Sequence, residues 1–306
     1  MKIKKLVGSV FLAMGVFLLT ACGSSNSQEK MEQEGNVSNS GNTIGLSVST
    51  LNNPFFISLV DGAKEKAEEY NLDLIVVDAR DDVAKQTNDI EDLISKNISV
   101  LIVNPVDSDA CAPVVQEAIS KGIKVVSVDR VVNGVEVDSS ISSDNVEGAK
   151  KATEHILSLV GKDAKVAELE GIPGASATID RGEGFHIIAD KELNVVAKQT
   201  ANFSRSEGLS VMENILQANP DIKAVFAHND EMALGAVEAI GDKEILVVGF
   251  DATEDALTAI KDGKMSATVA QKPDLMGMTS IEIANKLITG EEVEKNIHVE
   301  VELVTE

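Results

Sequence analysis

Short apolar runs rich in β-branched residues recur along the chain after residue 42 and alternate with amphipathic segments. In the first half these runs cover residues 44–49, 72–78, 100–104 and 125–129. Each run is apolar at nearly every position, which is typical of a parallel strand buried on both faces. Their starts are 25 to 28 residues apart, which is close to the length of a strand–helix unit. The pattern therefore predicts a parallel sheet with crossover helices.

Helical spacing appears between these runs. Apolar residues from Phe56 to Tyr70 fall on one face of a helix, and the segments 146–160 and 231–240 show similar patterns. A second series of strands is predicted to begin at residues 166, 195, 224, 245 and 266. About 264 residues follow residue 42, more than one hydrophobic core usually serves. We therefore predict an α/β protein of two similar doubly wound parallel-sheet lobes, with a boundary near Ser143 after a connecting loop over 131–142.

Polar side chains follow several predicted strands at their carboxyl ends, where open parallel sheets bind ligands. They are Ser49, Asp129, Arg130, Asn229, Asp230, Asp251 and Gln271. Together with Arg181 in the stretch 181–184, they provide carboxylates, guanidinium groups and amides, which form hydrogen bonds to vicinal hydroxyls. Phe55, Phe56 and Phe203 would cover the apolar faces of a sugar ring. Helix capping is the alternative for Asn53 before Pro54 and for Asp230 and Asp251. Phe56 also fits a core position, whereas Phe55 is expected to point outward.

The first 42 residues predict export. Lys2, Lys4 and Lys5 precede an apolar run over 6–19 that is shorter than the roughly 20 residues of a membrane-spanning helix, so we predict a signal peptide over 1–21. The run ends in Leu-Thr-Ala-Cys, which resembles the bacterial lipoprotein signal, and Cys22 is the predicted lipid anchor. The polar stretch 22–42 is predicted to be a flexible tether. The folded part would then lie outside the cytoplasm, anchored to the outer face of the cell membrane.

Charge and motifs exclude other classes. The formal charge of −23 argues against a nucleic-acid partner. With Cys22 lipidated, Cys111 has no disulfide partner in the monomer and is expected to be buried and inert. Neither a phosphate-binding loop nor a G-x-S-x-G nucleophile turn is present in the sequence. We predict no enzymatic activity, no metal and no cofactor. The four histidines, expected at solvent or at helix caps, are His155, His186, His228 and His298.

From Thr43 onward the sequence resembles the ribose-binding proteins of sugar ABC importers, which belong to the type I periplasmic-binding-protein family. The most specific stretches that carry this resemblance are 49–56, 104–110, 143–145, 181–185, 229–235, 248–251 and 270–274. Small departures occur at His228 and Ala252, where the family pattern leads us to expect Gln and Gly. A lipidated cysteine also departs from the freely soluble periplasmic form.

The resemblance implies a function and a site. It implies that the chain binds D-ribose between its lobes, delivers it to an ABC importer permease, and acts as a monomer. The implied ligand-binding residues are Ser49, Asn53, Phe55, Phe56, Asp129, Arg130, Arg181, Phe203, Asn229, Asp251 and Gln271. It also implies three crossings between lobes, which form a three-strand hinge. The N-terminal lobe would comprise 43–143 and about 272–300, and the C-terminal lobe 144–271 and about 301–306.

Alternatives from other classes remain. The protein could serve as a receptor for allose, another monosaccharide or a furanosyl signalling molecule. A sugar-responsive repressor would need an N-terminal helix-turn-helix, which residues 1–42 cannot form. A glycosidase would need two carboxylates flanking a cleft, which Asp129 and Asp251 could imitate. Both carboxylates are expected to pair with hydroxyls or arginine, which argues against a proton donor.

Overall fold

The computed structural model describes residues 42–305. The predicted signal peptide, Cys22 and the tether up to residue 41 lie outside these residues. In chain order the described elements are β1 (Thr43–Val48), α1 (Pro54–Glu69), β2 (Asp73–Asp78), α2 (Val83–Ser95), β3 (Val100–Val103), α3 (Ala112–Ser120), β4 (Lys124–Val128), β5 (Ser139–Ser143), α4 (Asn145–Val160), β6 (Lys165–Glu170), α5 (Ser176–Glu192), β7 (Asn194–Thr200), α6 (Arg205–Ala218), β8 (Ala224–Ala227), α7 (Asp230–Ile240), β9 (Leu246–Asp251), α8 (Glu254–Lys261), β10 (Ala267–Ala270), α9 (Pro273–Thr289), β11 (Asn296–Val299) and β12 (Glu302–Val304).

These elements form two six-stranded sheets. The first has the order β2-β1-β3-β4-β5-β11 and all its pairs are parallel. The second has the order β7-β6-β8-β9-β10-β12, in which only β12 runs antiparallel to its neighbour. Each sheet has hydrophobic core clusters, in which strand residues such as Ile44 and Phe226 pack against helices. The prediction of two doubly wound α/β lobes is confirmed.

The chain passes between the two sheets three times, after β5, after β10 and after β11. As a result α9 packs on the first sheet with α1, whereas α4 packs on the second sheet with α5. Two glycines allow α1 and α9 to approach closely: a Cβ on Gly277 would lie 2.0 Å from the backbone oxygen of Leu59, and one on Gly62 would lie 2.3 Å from that of Asp274. Residues at or just after the carboxyl ends of β1 and β4 in the first sheet, and of β8, β9 and β10 in the second, lie at the junction between the lobes.

The interpretation of 131–142 as a loop is wrong for its last four residues. Residues 139–143, Ser-Ser-Ile-Ser-Ser, form β5, which lacks the apolar pattern of the other strands. Hydroxyl pairing replaces apolar burial there, because Ser140 Oγ accepts from Ser127 Oγ at 2.9 Å and Ser139 Oγ donates to Glu294 O at 2.7 Å. Within residues 42–305 no helix is long and apolar enough to cross a membrane.

Candidate functional site

A small cavity lies between the lobes at the carboxyl ends of their central strands. Ten of the eleven predicted site residues line it: Asn53, Phe55, Phe56, Asp129, Arg130, Arg181, Phe203, Asn229, Asp251 and Gln271. Ala177, which the sequence analysis missed, also lines it. Ser49 is fully buried and is absent from the lining. Another groove, between α7 and α8, is lined by one lobe only, so the interlobe cavity is the candidate site.

Two carboxylates and two guanidinium groups converge in this cavity, and each lobe provides one carboxylate and one guanidinium group. Arg130 Nε lies 3.6 Å from Asp129 Oδ2, and Arg181 Nη1 lies 4.0 Å from Asp251 Oδ1. All four side chains are 4% exposed. Burial raises the pKa of the Asp129 and Asp251 carboxyls above the ordinary value, and the arginines oppose that rise. The formal charges of the two carboxylates and the two guanidinium groups therefore cancel.

Asn104 orients the Asp129 side chain through a hydrogen bond. Its Nδ2 donates to Asp129 Oδ2 at 2.9 Å, and its Oδ1 accepts from the Ser49 backbone N–H at 3.1 Å. Gln86 in turn donates to the Asn104 backbone oxygen at 2.9 Å and to Ser47 Oγ at 3.2 Å. The sequence analysis assigned no role to Asn104 or Gln86. Asn104 directly follows β3, so the strand-end position that identified Asp129 was the available signal.

Arg181 crosses from α5 to the end of β8. Its Nε donates to Asn145 Oδ1 at 2.8 Å and its Nη1 donates to the His228 backbone oxygen at 2.5 Å. Its guanidinium lies 3.9 Å from the centroid of the Phe250 ring. These contacts fix the planar fork at the floor of the cavity, an arrangement that a lysine ammonium cannot reproduce.

Asp251 occupies a backbone conformation that non-glycine residues rarely adopt, with φ of 126°, and Ala252 follows with φ of 56°. Gln271 Nε2 donates to Asp251 Oδ1 at 2.7 Å across the crossing that leads from β10 to α9. Within the described residues, the buried Gln271 Oε1 and Arg130 Nε have no hydrogen-bond partner. Buried polar groups are normally hydrogen-bonded, so these two atoms are candidates for bonds to a ligand.

Three phenylalanines provide the apolar walls. Phe55 and Phe56 meet edge to face with ring centroids 5.1 Å apart. The Arg130 guanidinium lies 5.4 Å from the Phe56 ring and 5.2 Å from the Phe203 ring, so it is held between aromatic rings of the two lobes. Phe55 is 4% exposed. The expectation that it points outward is wrong, because the start of α1 turns its ring into the closed cavity.

Two predicted site amides are also helix caps. Asn53 Oδ1 accepts from the Phe55 N–H at 2.9 Å and caps α1. Asn229 Oδ1 accepts from the Met232 N–H at 2.9 Å and caps α7, while its Nδ2 donates to the Phe203 backbone oxygen at 3.2 Å. Capping and site roles therefore coincide in these residues. The caps assigned to Asp230 and Asp251 are wrong, since Asn229 and Thr253 occupy those positions.

His228 lies behind the site and is fully buried, which contradicts its expected place at solvent or at a helix cap. Its Nε2 lies 2.9 Å from Glu168 Oε1, and His186 Nε2 lies 3.0 Å from Glu168 Oε2. Burial lowers the pKa of His228, although the bond to Glu168 opposes this. Cys111 is buried as expected, and burial raises the pKa of its thiol to about 12.

The lobes also contact each other directly beside the cavity. The Ser108 N–H donates to Gly174 O at 2.9 Å, the Ser176 N–H donates to Ser108 Oγ at 3.2 Å, and the Val131 N–H donates to Ser176 Oγ at 3.1 Å. A Cβ on Gly174 would lie 1.8 Å from Asp107 Oδ2. These contacts join residues that the fold assigns to different sheets, so the described conformation is a closed one.

A family model for the periplasmic binding protein domain matches residues 44–292. The chain belongs to this family. The ribose import binding protein RbsB of Bacillus subtilis is 52% identical over 304 residues, which cover 97% of this chain and 98% of that protein. The sequence-based resemblance to the family is therefore confirmed.

Solved structures of family members have the same fold. An ABC transporter solute-binding protein from Bacillus halodurans with bound myo-inositol is 35% identical with a TM-score of 0.82, covering 87% of this chain and 94% of that one. One from Actinobacillus succinogenes with bound D-allose is 33% identical with a TM-score of 0.80, covering 86% and 97%. Both are bound to polyhydroxylated small molecules.

Proposed function

We propose that this protein is the extracytoplasmic substrate-binding component of a sugar ABC importer, that it binds D-ribose in the interlobe cavity, and that it delivers the sugar to the membrane permease. One observation carries the proposal: paired carboxylates and guanidinium groups from both lobes converge with three phenylalanines on one small cavity. The full-length similarity to a ribose import binding protein supports the same ligand.

Charge favours a neutral polyhydroxylated ligand. The chain carries −23 overall, yet Asp129 and Asp251 in the cavity are matched by Arg130 and Arg181. An anionic or cationic ligand would leave a net charge in a buried site, which is costly. Hydroxyl groups both donate and accept hydrogen bonds, so they can bridge carboxylates and guanidinium groups without changing the charge balance.

Size favours a monosaccharide. The cavity is small, and eleven residues from both lobes line it. A sugar of about ten non-hydrogen atoms bound at micromolar affinity gains about 0.8 kcal/mol per atom, which is in the upper range for small ligands. A ligand that contacts both lobes can reach this free energy per atom, because most of its hydroxyls then have protein partners. Allose, another monosaccharide or a furanosyl signalling molecule are the alternative ligands, and a D-allose-bound relative makes allose the first to test.

We also propose that the protein acts as a monomeric binding protein and not as an enzyme. Asp129 and Asp251 have the raised pKa that a general acid needs, but each is already paired with an arginine and an amide. A guanidinium neighbour stabilises the ionised carboxylate, and so opposes its use as a proton donor.

Calorimetric titration against a panel of monosaccharides tests the ligand. We expect D-ribose to bind with higher affinity than allose, arabinose, xylose or galactose, because the full-length similarity to a ribose import binding protein supports ribose as the ligand. The sugar should be recovered unchanged after the titration. Tighter binding of another sugar would reassign the ligand, and the absence of binding to every sugar would refute the proposed function.

Substitution of the charged residues tests the site. Asp251→Ala and Arg181→Ala should each weaken ribose binding by about 2 to 5 kcal/mol, because removal of one buried partner leaves others unpaired. Arg181→Lys should also weaken binding, since the ammonium loses the contacts to Asn145 and His228.

Arg80→Lys and Asp262→Ala provide matched controls, because these exposed side chains lie outside the cavity. Both controls should retain wild-type affinity in the same calorimetric titration. Wild-type affinity in Asp251→Ala or Arg181→Ala would remove that residue from the proposed site.

We propose that the protein is exported as a lipoprotein and anchored through Cys22. The basic start, the apolar run over 6–19 and the Leu-Thr-Ala-Cys sequence support this. Replacement of Cys22 by Ser should release the mature protein into the medium or leave the precursor unprocessed, as judged by fractionation and immunoblotting. The wild-type protein, which keeps Cys22, should remain with the membrane fraction. A Cys22→Ser protein that stays membrane-bound in its mature form would contradict the lipid anchor.

We further propose that ribose stabilises a closed conformation that the permease recognises. The predicted lobes and the three-strand hinge provide the moving parts, and the ligand would contact both lobes. Such a ligand has a higher affinity for the closed state, and only differential affinity can shift the population. The direct bonds of Ser108 to Gly174 and Ser176 would form on closure and add to the ligand's contacts.

Small-angle scattering measures this closure. Saturating ribose should lower the radius of gyration relative to the protein alone, because hinge motion brings nearly rigid lobes together. A sugar that calorimetry shows not to bind serves as the control and should leave the profile unchanged. Identical profiles with and without bound ribose would argue for a rigid pocket.

A further inference from the structure

A buried network behind Asp251 is distinct from the groups that line the cavity. Asp230 is the first residue of α7, is 0% exposed and is absent from the cavity lining. Its side chain does not cap its own helix. It points towards the turn that connects β9 to α8, where Asp251 and Ala252 lie.

Asp230 receives three hydrogen bonds. Its Oδ2 accepts from the Thr253 N–H at 2.7 Å and from Thr253 Oγ1 at 3.1 Å, and its Oδ1 accepts from Thr268 Oγ1 at 2.6 Å. Thr268 Oγ1 in turn accepts from the Ala252 N–H at 3.2 Å. The carboxylate therefore holds Thr253 directly and Ala252 through one hydroxyl.

The turn held in this way is strained. Asp251 and Ala252 have φ values of 126° and 56°, in a region that side-chain-bearing residues rarely adopt. Such conformations persist only where the surrounding structure determines them strongly. Gly249 leaves room for the network, because a Cβ there would lie 2.3 Å from Asp230 Oδ1.

We propose that Asp230 is a positioning residue for sugar binding: through Thr253 and Thr268 it holds the strained 251–252 backbone that aims the Asp251 carboxylate into the cavity. This inference rests on the proposed function. Asp230 itself does not touch the ligand. Burial raises its pKa to about 7, while the bonds from Thr268 and Thr253 oppose that rise. Those bonds stabilise the ionised form, which accepts from all three donors.

Calorimetry on isosteric variants tests the proposal. Thr268→Val removes the hydroxyl and leaves Asp230 Oδ1 and the Ala252 N–H unpaired, so ribose affinity should fall by about tenfold to a hundredfold. Thr268→Ser keeps the hydroxyl and should bind within about threefold of the wild type. In Asp230→Asn the side-chain NH₂ group replaces one of the two carboxylate oxygens, so it faces the donors of either Thr253 or Thr268 and cannot accept from them. This substitution should weaken ribose binding to a similar extent as Thr268→Val. If Asp230→Asn does not fold, the two Thr268 variants decide the result.

Thr153→Val is the matched control, because Thr153 is also fully buried and its hydroxyl donates only to Ala149 O within α4. It should lose stability without losing affinity. The decisive variant is Ala252→Gly in the Thr268→Val background. Glycine adopts positive φ without steric cost, so this second change should restore most of the lost affinity. A general packing defect would not be repaired in this way.

The outcomes separate this inference from the proposed function. If the wild-type protein binds no monosaccharide, the proposed function fails and the network has no ligand to serve. If the wild type binds ribose and Thr268→Val binds equally well, the positioning role is refuted while the function stands. Weak binding by Thr268→Val that Ala252→Gly leaves uncorrected also refutes the role of backbone strain.

Discussion

Two carboxylates and two guanidinium groups are buried together between the lobes, and a protein interior tolerates such charges only when they compensate one another. Neither lobe contains the full set, because Asp129 and Arg130 follow β4 whereas Arg181 and Asp251 belong to α5 and β9. The balance of formal charge in the cavity depends on this pairing. A polyhydroxylated ligand fits the constraint because its hydroxyls serve as both donors and acceptors.

The residues around these four charged groups mainly hold the charged side chains in position. Asn104 and Gln86 orient Asp129 from one lobe, while Asn145 and the His228 backbone orient Arg181 from the other. Each lobe thus supplies a carboxylate, a guanidinium group and a buried amide that fixes one of them. Similar doubly wound lobes lead to this arrangement because both sheets place their strand ends at the same interface. Binding groups fixed in advance lose less conformational entropy when a ligand arrives.

Most of the fold could be predicted from the hydrophobic pattern. Strands such as β1 and β8, buried at nearly every position, appear as continuous apolar runs, and the helices between them show one apolar face. Three strands were not predicted, namely β5, β11 and β12. The Ser-rich sequence of β5 carries no apolar signal, because its stability depends on neighbouring strands and on hydroxyl pairing. Register and pairing partners are long-range properties, and a polar strand can be identified only once its neighbours are known.

The sequence by itself determined the α/β class, the strand-end positions of the polar residues and the family resemblance, since periodicity and short motifs are local properties. Tertiary structure decided what each residue does. It turned Phe55 into the cavity, buried His228 against Glu168, and placed Asp230 behind the strained turn at Asp251. These outcomes depend on contacts between segments that are 20 to 60 residues apart. A buried charge or a positive φ is stabilised by such distant partners, which no local pattern in the chain specifies.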